Sequence, residues 1–203
     1  GALNRTVALA DVGGNYSSNY VAGKTYGEIL QRLVNALAWG QTDNNAALYR
    51  AGGWHYSFNQ FYSDGSTIGW VILSFLAAGA AGAIVPAWVP ARFNGVPTAP
   101  GALTGHINTN GTIDYTADGN PANLERVGPQ KNGIGLQGLY WVGETSGSRV
   151  DAFTANLNSW WPGASPYGIG GSAWGGPSNH GSGYAMFNNF KGLKLQGITT
   201  LPA

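Results

Sequence analysis

The chain has 203 residues, enough for one large domain or two small ones with a sizeable core. Charged residues make up only 9% of it and nearly cancel to a net charge of +1, and no basic run or basic helix face stands out, so nucleic acid is not an expected partner. There is no cysteine, so disulfide frameworks, thiolate metal sites and thiol nucleophiles are excluded as well.

The opening, "GALNRTVALADVGG", has no basic start followed by an apolar run, and the expectation is of a processed chain or a piece of a longer one. Residues 1–25 are set apart as an N-terminal segment. From Tyr26 to Trp39, "YGEILQRLVNALAW" puts Ile29, Leu30, Leu33, Val34 and Leu37 on one face and Gln31, Arg32 and Asn35 opposite, the pattern of an amphipathic helix. A polar loop follows, carrying Trp54, Tyr56, Phe58, Phe61 and Tyr62 among glycines and asparagines. Asp64 or Ser66 then caps a second helix, Thr67 to Ala81, that is apolar on all sides and therefore expected inside protein or lipid. Gly69, Gly79, Gly82, Pro86 and Pro90 interrupt the uncharged run, so the reading is a buried inner helix and no transmembrane span.

The pattern recurs. "AIVPAWVPARF" is a short helix candidate, "NTNGTIDYTADGNPANLERVGPQ" a polar loop with its own aromatic, Tyr115, and "NGIGLQGLYWVGE" a small-residue, apolar helix. A third round begins with "SRVDAFTANLNSWW", where Ser148 is read as a cap with Asp151 three residues on. "PGASPYGIGGSAWGGPSNHGSG" is its loop and "YAMFNNFKGLKLQGI" its closing helix. Three copies of amphipathic helix, aromatic loop and inner helix, at a period of roughly 50 to 60 residues, predict an all-α array of stacked helical hairpins. The units run over about 26–82, 83–147 and 148–198, with a tail at 199–203.

"LVNALAWGQTDNNAALYRAGGWHY", with Gln41 followed by Gly53 and Trp54, resembles a loosened QW motif of the prenyltransferase and squalene cyclase repeat superfamily, and "DGSTIGWVILSFLAAG" resembles the inner helix that follows it there. Uncharacterised bacterial proteins with serial "GGWxY" units look similar. The resemblance covers roughly residues 26 to 198; it is good for the first unit, fair for the third and poor for the second. It implies an α/α toroid, of which about three hairpins supply half, so the ring would be open, completed by a partner or continued elsewhere in the polypeptide. What the catalytic members use is missing: there is no DxDD box, Asp43, Asp64, Asp114, Asp118 and Asp151 being isolated, and no Cys for a prenyltransferase-type zinc site.

Among groups able to carry chemistry, His55, Tyr56 and Asp64 stand closest to an acid–base set, a carboxylate orienting an imidazole beside a phenol. The competing reading is structural, with Trp54 and Tyr56 packing beneath the inner helix and Asp64 capping it. His55, His106 and His180 lie in expected loops without ligand spacing, so no metal and no cofactor are expected. Trp54, His55, Tyr56, Trp174 and His180 are the candidate ligand contacts, suited to a glycan or an apolar ligand. No paired carboxylates stand out in any loop, so glycan binding is supported and cleavage is not. The expected function is a non-catalytic, exported, surface or extracellular repeat module that self-associates or belongs to a larger chain. The alternatives are a toroid enzyme with part of its site outside this chain, and a subunit of an extracellular filament.

Overall fold

The structure, a computed structural model, describes residues 4–6, 21–42, 50–96, 99–117, 129–160 and 183–201. These residues are mostly helical, as the periodicities predict: α1 (Tyr26–Trp39), α2 (Gly65–Ala80), α3 (Trp88–Asn94), α4 (Ala102–His106), α5 (Pro129–Trp141), α6 (Ser148–Trp160) and α7 (Gly183–Leu195). Between α3 and α4 a two-residue ladder pairs β1 (Gly95–Val96) with β2 (Ala99–Pro100), antiparallel.

Helix α1 starts on a capping box: the Glu28 amide donates to Thr25 Oγ1 at 3.1 Å and the Thr25 amide to Glu28 Oε2 at 2.7 Å. Those bonds hold the Glu28 carboxyl below its ordinary range. The face that enters the core is centred on Val34 and Ala38, whereas Leu33, expected on that face, is 58% exposed. The apolar stripe of α1 is wider than the contact it makes with α2.

Asp64, rather than Ser66, caps α2. Its Oδ1 accepts from the Ser66 and Thr67 amides, both at 2.9 Å, and from both hydroxyls, so the helix begins two residues earlier than Thr67. The helix is not enclosed on all sides. Ile68, Gly69, Ile72 and Phe75 are buried, but Trp70, Ser74 and Ala77 are exposed. No described helix is long and apolar enough to cross a membrane.

Helix α5 is the hub, packed against α2, α4, α6 and α7 and buried at every position from 131 to 139. It is less apolar than its small-residue pattern predicts. Lys131, Asn132 and Gln137 are inside with it, and α7 answers with Asn188 and Asn189. The Gly133 amide donates to Asn189 Oδ1 at 2.8 Å, Gln137 Nε2 to the Asn188 carbonyl at 3.1 Å, and Asn132 Nδ2 to Asn156 Oδ1 of α6 at 2.6 Å. Such bonds fix register where apolar contacts would let helices slide. They need backbones close together: a Cβ on Gly133 would lie 2.1 Å from the Asn188 oxygen, and one on Gly192 2.5 Å from the Gly133 oxygen.

Beside this polar seam lies an aromatic core. Trp54, 1% exposed, meets Phe75, Phe93 and Trp141 at ring-centroid distances of 5.7, 5.8 and 6.0 Å, and Phe75 stacks on Trp141 at 5.4 Å. The four rings come from the first loop, α2, α3 and α5, so one cluster ties together segments from the first two units. Ser148 stands inside the first turn of α6 rather than as its cap, since the Asp151 amide bonds the Gly147 carbonyl at 3.0 Å.

Candidate functional site

Two loops lead to α2 and toward α5, and they share one backbone plan. In "GGWHY", Gly52 donates to the Thr42 carbonyl at 2.9 Å and the Thr42 amide to the Gly53 carbonyl at 2.8 Å. In "GTIDY", Gly111 donates to the Asn108 carbonyl at 3.1 Å and the Asn108 amide to the Thr112 carbonyl at 2.9 Å. Gly52 and Gly111 adopt φ of +81° and +74°, and a Cβ there would strike Arg92 of α3 at 2.6 Å or Ala152 of α6 at 2.1 Å. A left-handed turn with no room for a side chain leaves only glycine. Two residues on, Trp54 and Ile113 are both 1% exposed, and two further on stand Tyr56 and Tyr115.

Both tyrosines reach one rim at the N-terminal ends of α2, α5 and α7. The Tyr56 hydroxyl lies 3.3 Å from Ser66 Oγ, and Ser66 in turn bonds Asp64. The Tyr115 hydroxyl is pushed up to about 12, by burial first and then by hydrogen bonding with Tyr56 and the Asp64 charge, against an opposing bond with Ser66. Lys131 Nζ sits 4.7 Å from the Tyr115 ring centroid. Tyr184 completes the group from α7; burial first, then the Asp64 charge, raises its hydroxyl above the ordinary range. Trp70, 52% exposed, stacks on Phe187 at 5.6 Å and 22° and approaches Tyr184 at 6.4 Å. The result is a rim of rings and hydroxyls drawn from the first loop, the second loop and α2, backed from beneath by the buried Lys131 of α5 and by Tyr184 of α7.

Of the residues expected to contact ligand, Tyr56 is on this rim and 72% exposed. Trp54 is not available to a ligand: it is a core plug whose indole N–H donates to the Leu37 carbonyl at 2.7 Å. His55 packs edge-on against Tyr62 at 4.5 Å and Tyr56 at 5.3 Å and makes no hydrogen bond or ion pair with Asp64, which is occupied as a helix cap. The expected acid–base group therefore separates into an aromatic contact, an exposed phenol and a cap. Trp174 and His180 lie outside the described residues.

His106, expected in a solvated loop, belongs to α4 and is fully buried. Its Nε2 is 2.8 Å from Ser63 Oγ and its Nδ1 3.0 Å from the Asp114 carbonyl. A carbonyl facing Nδ1 favours the tautomer in which Nδ1 donates and Nε2 accepts from the serine. Ser63 and His106 are both 0% exposed, so this pair fastens α4 to the Asp64 turn where no substrate reaches. Among the described residues no three of His, Asp and Glu gather as a metal cage.

Sequence reasoning missed Trp70 as a member of the rim, and Lys131 and Tyr184 as the groups packed beneath it. The parallel between "GGWHY" and "GTIDY" was the available signal, and it points to Tyr115 once the glycines are aligned. No protein-family model, no curated protein and no solved structure matches the chain.

Proposed function

We propose that the chain is a non-catalytic, exported helical repeat module that binds a neutral glycan on the Tyr56–Tyr115–Trp70 rim. The observation that carries this reading is Trp70: half its surface is open, its ring is steadied against Phe187, and the Tyr56 and Ser66 hydroxyls belong to the same rim. An indole face complements the C–H face of a pyranose, while phenolic and serine hydroxyls both donate and accept, as sugar hydroxyls do. Rings already packed lose little freedom on binding. A low-charge composition rich in Gly, Asn and Ser fits the exported setting.

The same reading arranges the chain as half of an α/α toroid, with α2, α5 and α7 inside and α1, α3 and α6 outside. Two parallels support it. Gly52 and Gly111 each pack on the next outer helix, and Gly69 lies against Ile134 of α5 as Gly133 lies against Asn188 of α7. The enzyme alternative finds little support, because the Ser63–His106 pair is sealed and Asp64 serves as a cap.

Affinity electrophoresis through gels containing neutral polysaccharides tests the reading. Retardation by at least one of them, weakened about tenfold or more in Trp70→Ala and unaccompanied by new reducing ends, is the expected result. Migration unaffected by every polysaccharide, or equal retardation of Trp70→Ala, overturns it; new reducing ends would restore the enzyme alternative.

A further inference from the structure

We propose a second site: the cleft between the C-terminal ends of α6 and α7 binds a linear anionic amphiphile, with the chain in the cleft and the head group on Lys194. The cleft has a volume of about 620 Å³ and is lined by Phe190, Leu193 and Lys194 of α7, Asn158 of α6, and Ile198 and Leu201 beyond α7. That volume is in the range of small-molecule sites. Leu193, Ile198 and Leu201 pack on the core yet stay only half-buried, and Phe190 is 59% exposed, so an apolar chain laid here would cover surface that the fold leaves wet.

Charge selects the ligand class. Residues 183–201 contain Lys191 and Lys194 and no acid, and among the described residues Lys194 is the one charged residue lining the cleft. Its Nζ stands 5.8 Å from the Phe190 ring centroid, at the boundary between the ring surface and water. A carboxylate or phosphate on a hydrocarbon chain satisfies both halves of that arrangement. A second copy presenting the same face would bring lysine against lysine across a twofold contact. The cleft is separate from the tyrosine rim: Tyr184 is in the first turn of α7 and Lys194 in its last, about 15 Å apart along the axis.

Calorimetric titration of the full chain with decanoate, decanol and decyltrimethylammonium, each below its aggregation concentration, tests the assignment. Decanoate should bind one to one and about two- to fivefold more tightly than decanol, with the cationic probe weakest. Lys194→Gln, a change at an exposed position, should bring decanoate to the level of decanol. Ile198→Trp should fill the cleft and remove both while circular dichroism stays native. Equal affinity of the wild type for decanoate and decanol, no binding of any probe, or undiminished decanoate binding by Lys194→Gln overturns the proposal. So does self-association in sedimentation that Ile198→Trp abolishes, which would assign the cleft to a second copy.

Discussion

The loops "GGWHY" and "GTIDY" carry the same two hydrogen bonds and the same left-handed glycine, yet in one they join Thr42 to a glycine ten residues on in sequence and in the other Asn108 to a glycine three residues on. Their side chains then diverge. Gly53 must be small, because a Cβ there would lie 2.3 Å from Ser63 Cβ, whereas Thr112 fills its place and bonds Asn110 and Asn108. His55 faces aromatic rings near the surface, whereas Asp114 is buried and accepts from Asn108 at 2.9 Å. Backbone geometry is therefore the repeated quantity, set by glycine and by the helix it packs on, α3 for Gly52 and α6 for Gly111, while the second and fourth positions are free to specialise. Among the side chains, only the tyrosine keeps both its identity and its destination.

The largest effects should come from the plugs. Trp54→Ala removes a ring that meets three others and should cost about 3–5 kcal/mol, and Ile113→Ala about 2–4 kcal/mol, both read by urea denaturation. A cost below about 1 kcal/mol at Ile113 would break the equivalence of the loops. Gly52→Ala and Gly111→Ala should each destabilise by about 1–3 kcal/mol or more, with Gly111→Ala the worse because its neighbouring backbone is nearer.

Alkaline titration sharpens the comparison at the tyrosines. Tyr115 and Tyr184 keep their protons in the folded chain more firmly than in the unfolded one, so the stability they contribute is complete below about pH 10 and declines as pH rises toward 12 and beyond. Absorbance at 295 nm should show a late-ionising class, and Tyr56→Phe should move Tyr115 downward by removing a partner that raises it. Asp64→Ala should cost about 1–2 kcal/mol through loss of the α2 cap, with Asp64→Asn recovering most of it.

Much of the helical framework was legible. Periodicity located α1 at its observed bounds and α2, α5, α6 and α7 within a few residues, because each carries an apolar or small-residue stripe at helical spacing. The five-residue α4 was not legible, since "GALTGH" sits among glycines and prolines and is held by the Ala102 amide bonding Ala51 and by His106 reaching Ser63. Leu33 misled because amphipathicity marks an apolar face, and how much of that face finds a neighbour depends on the helices around it. The polar seam of Asn132, Gln137, Asn188 and Asn189 was invisible for the same reason: each amide is tolerable inside only because its partner is on another helix. Tyr56 was singled out from its own loop, but the rim itself required Tyr115, Lys131 and Tyr184 to arrive from distant segments.

The central claim is that two equivalent loops deliver Tyr56 and Tyr115 to one coupled rim. A double-mutant cycle of Tyr56→Phe and Tyr115→Phe, followed by urea denaturation, tests it most directly. Coupling of at least about 0.5 kcal/mol between the two substitutions is the predicted result. Strict additivity within error would contradict the account, leaving two tyrosines that share a surface without acting together.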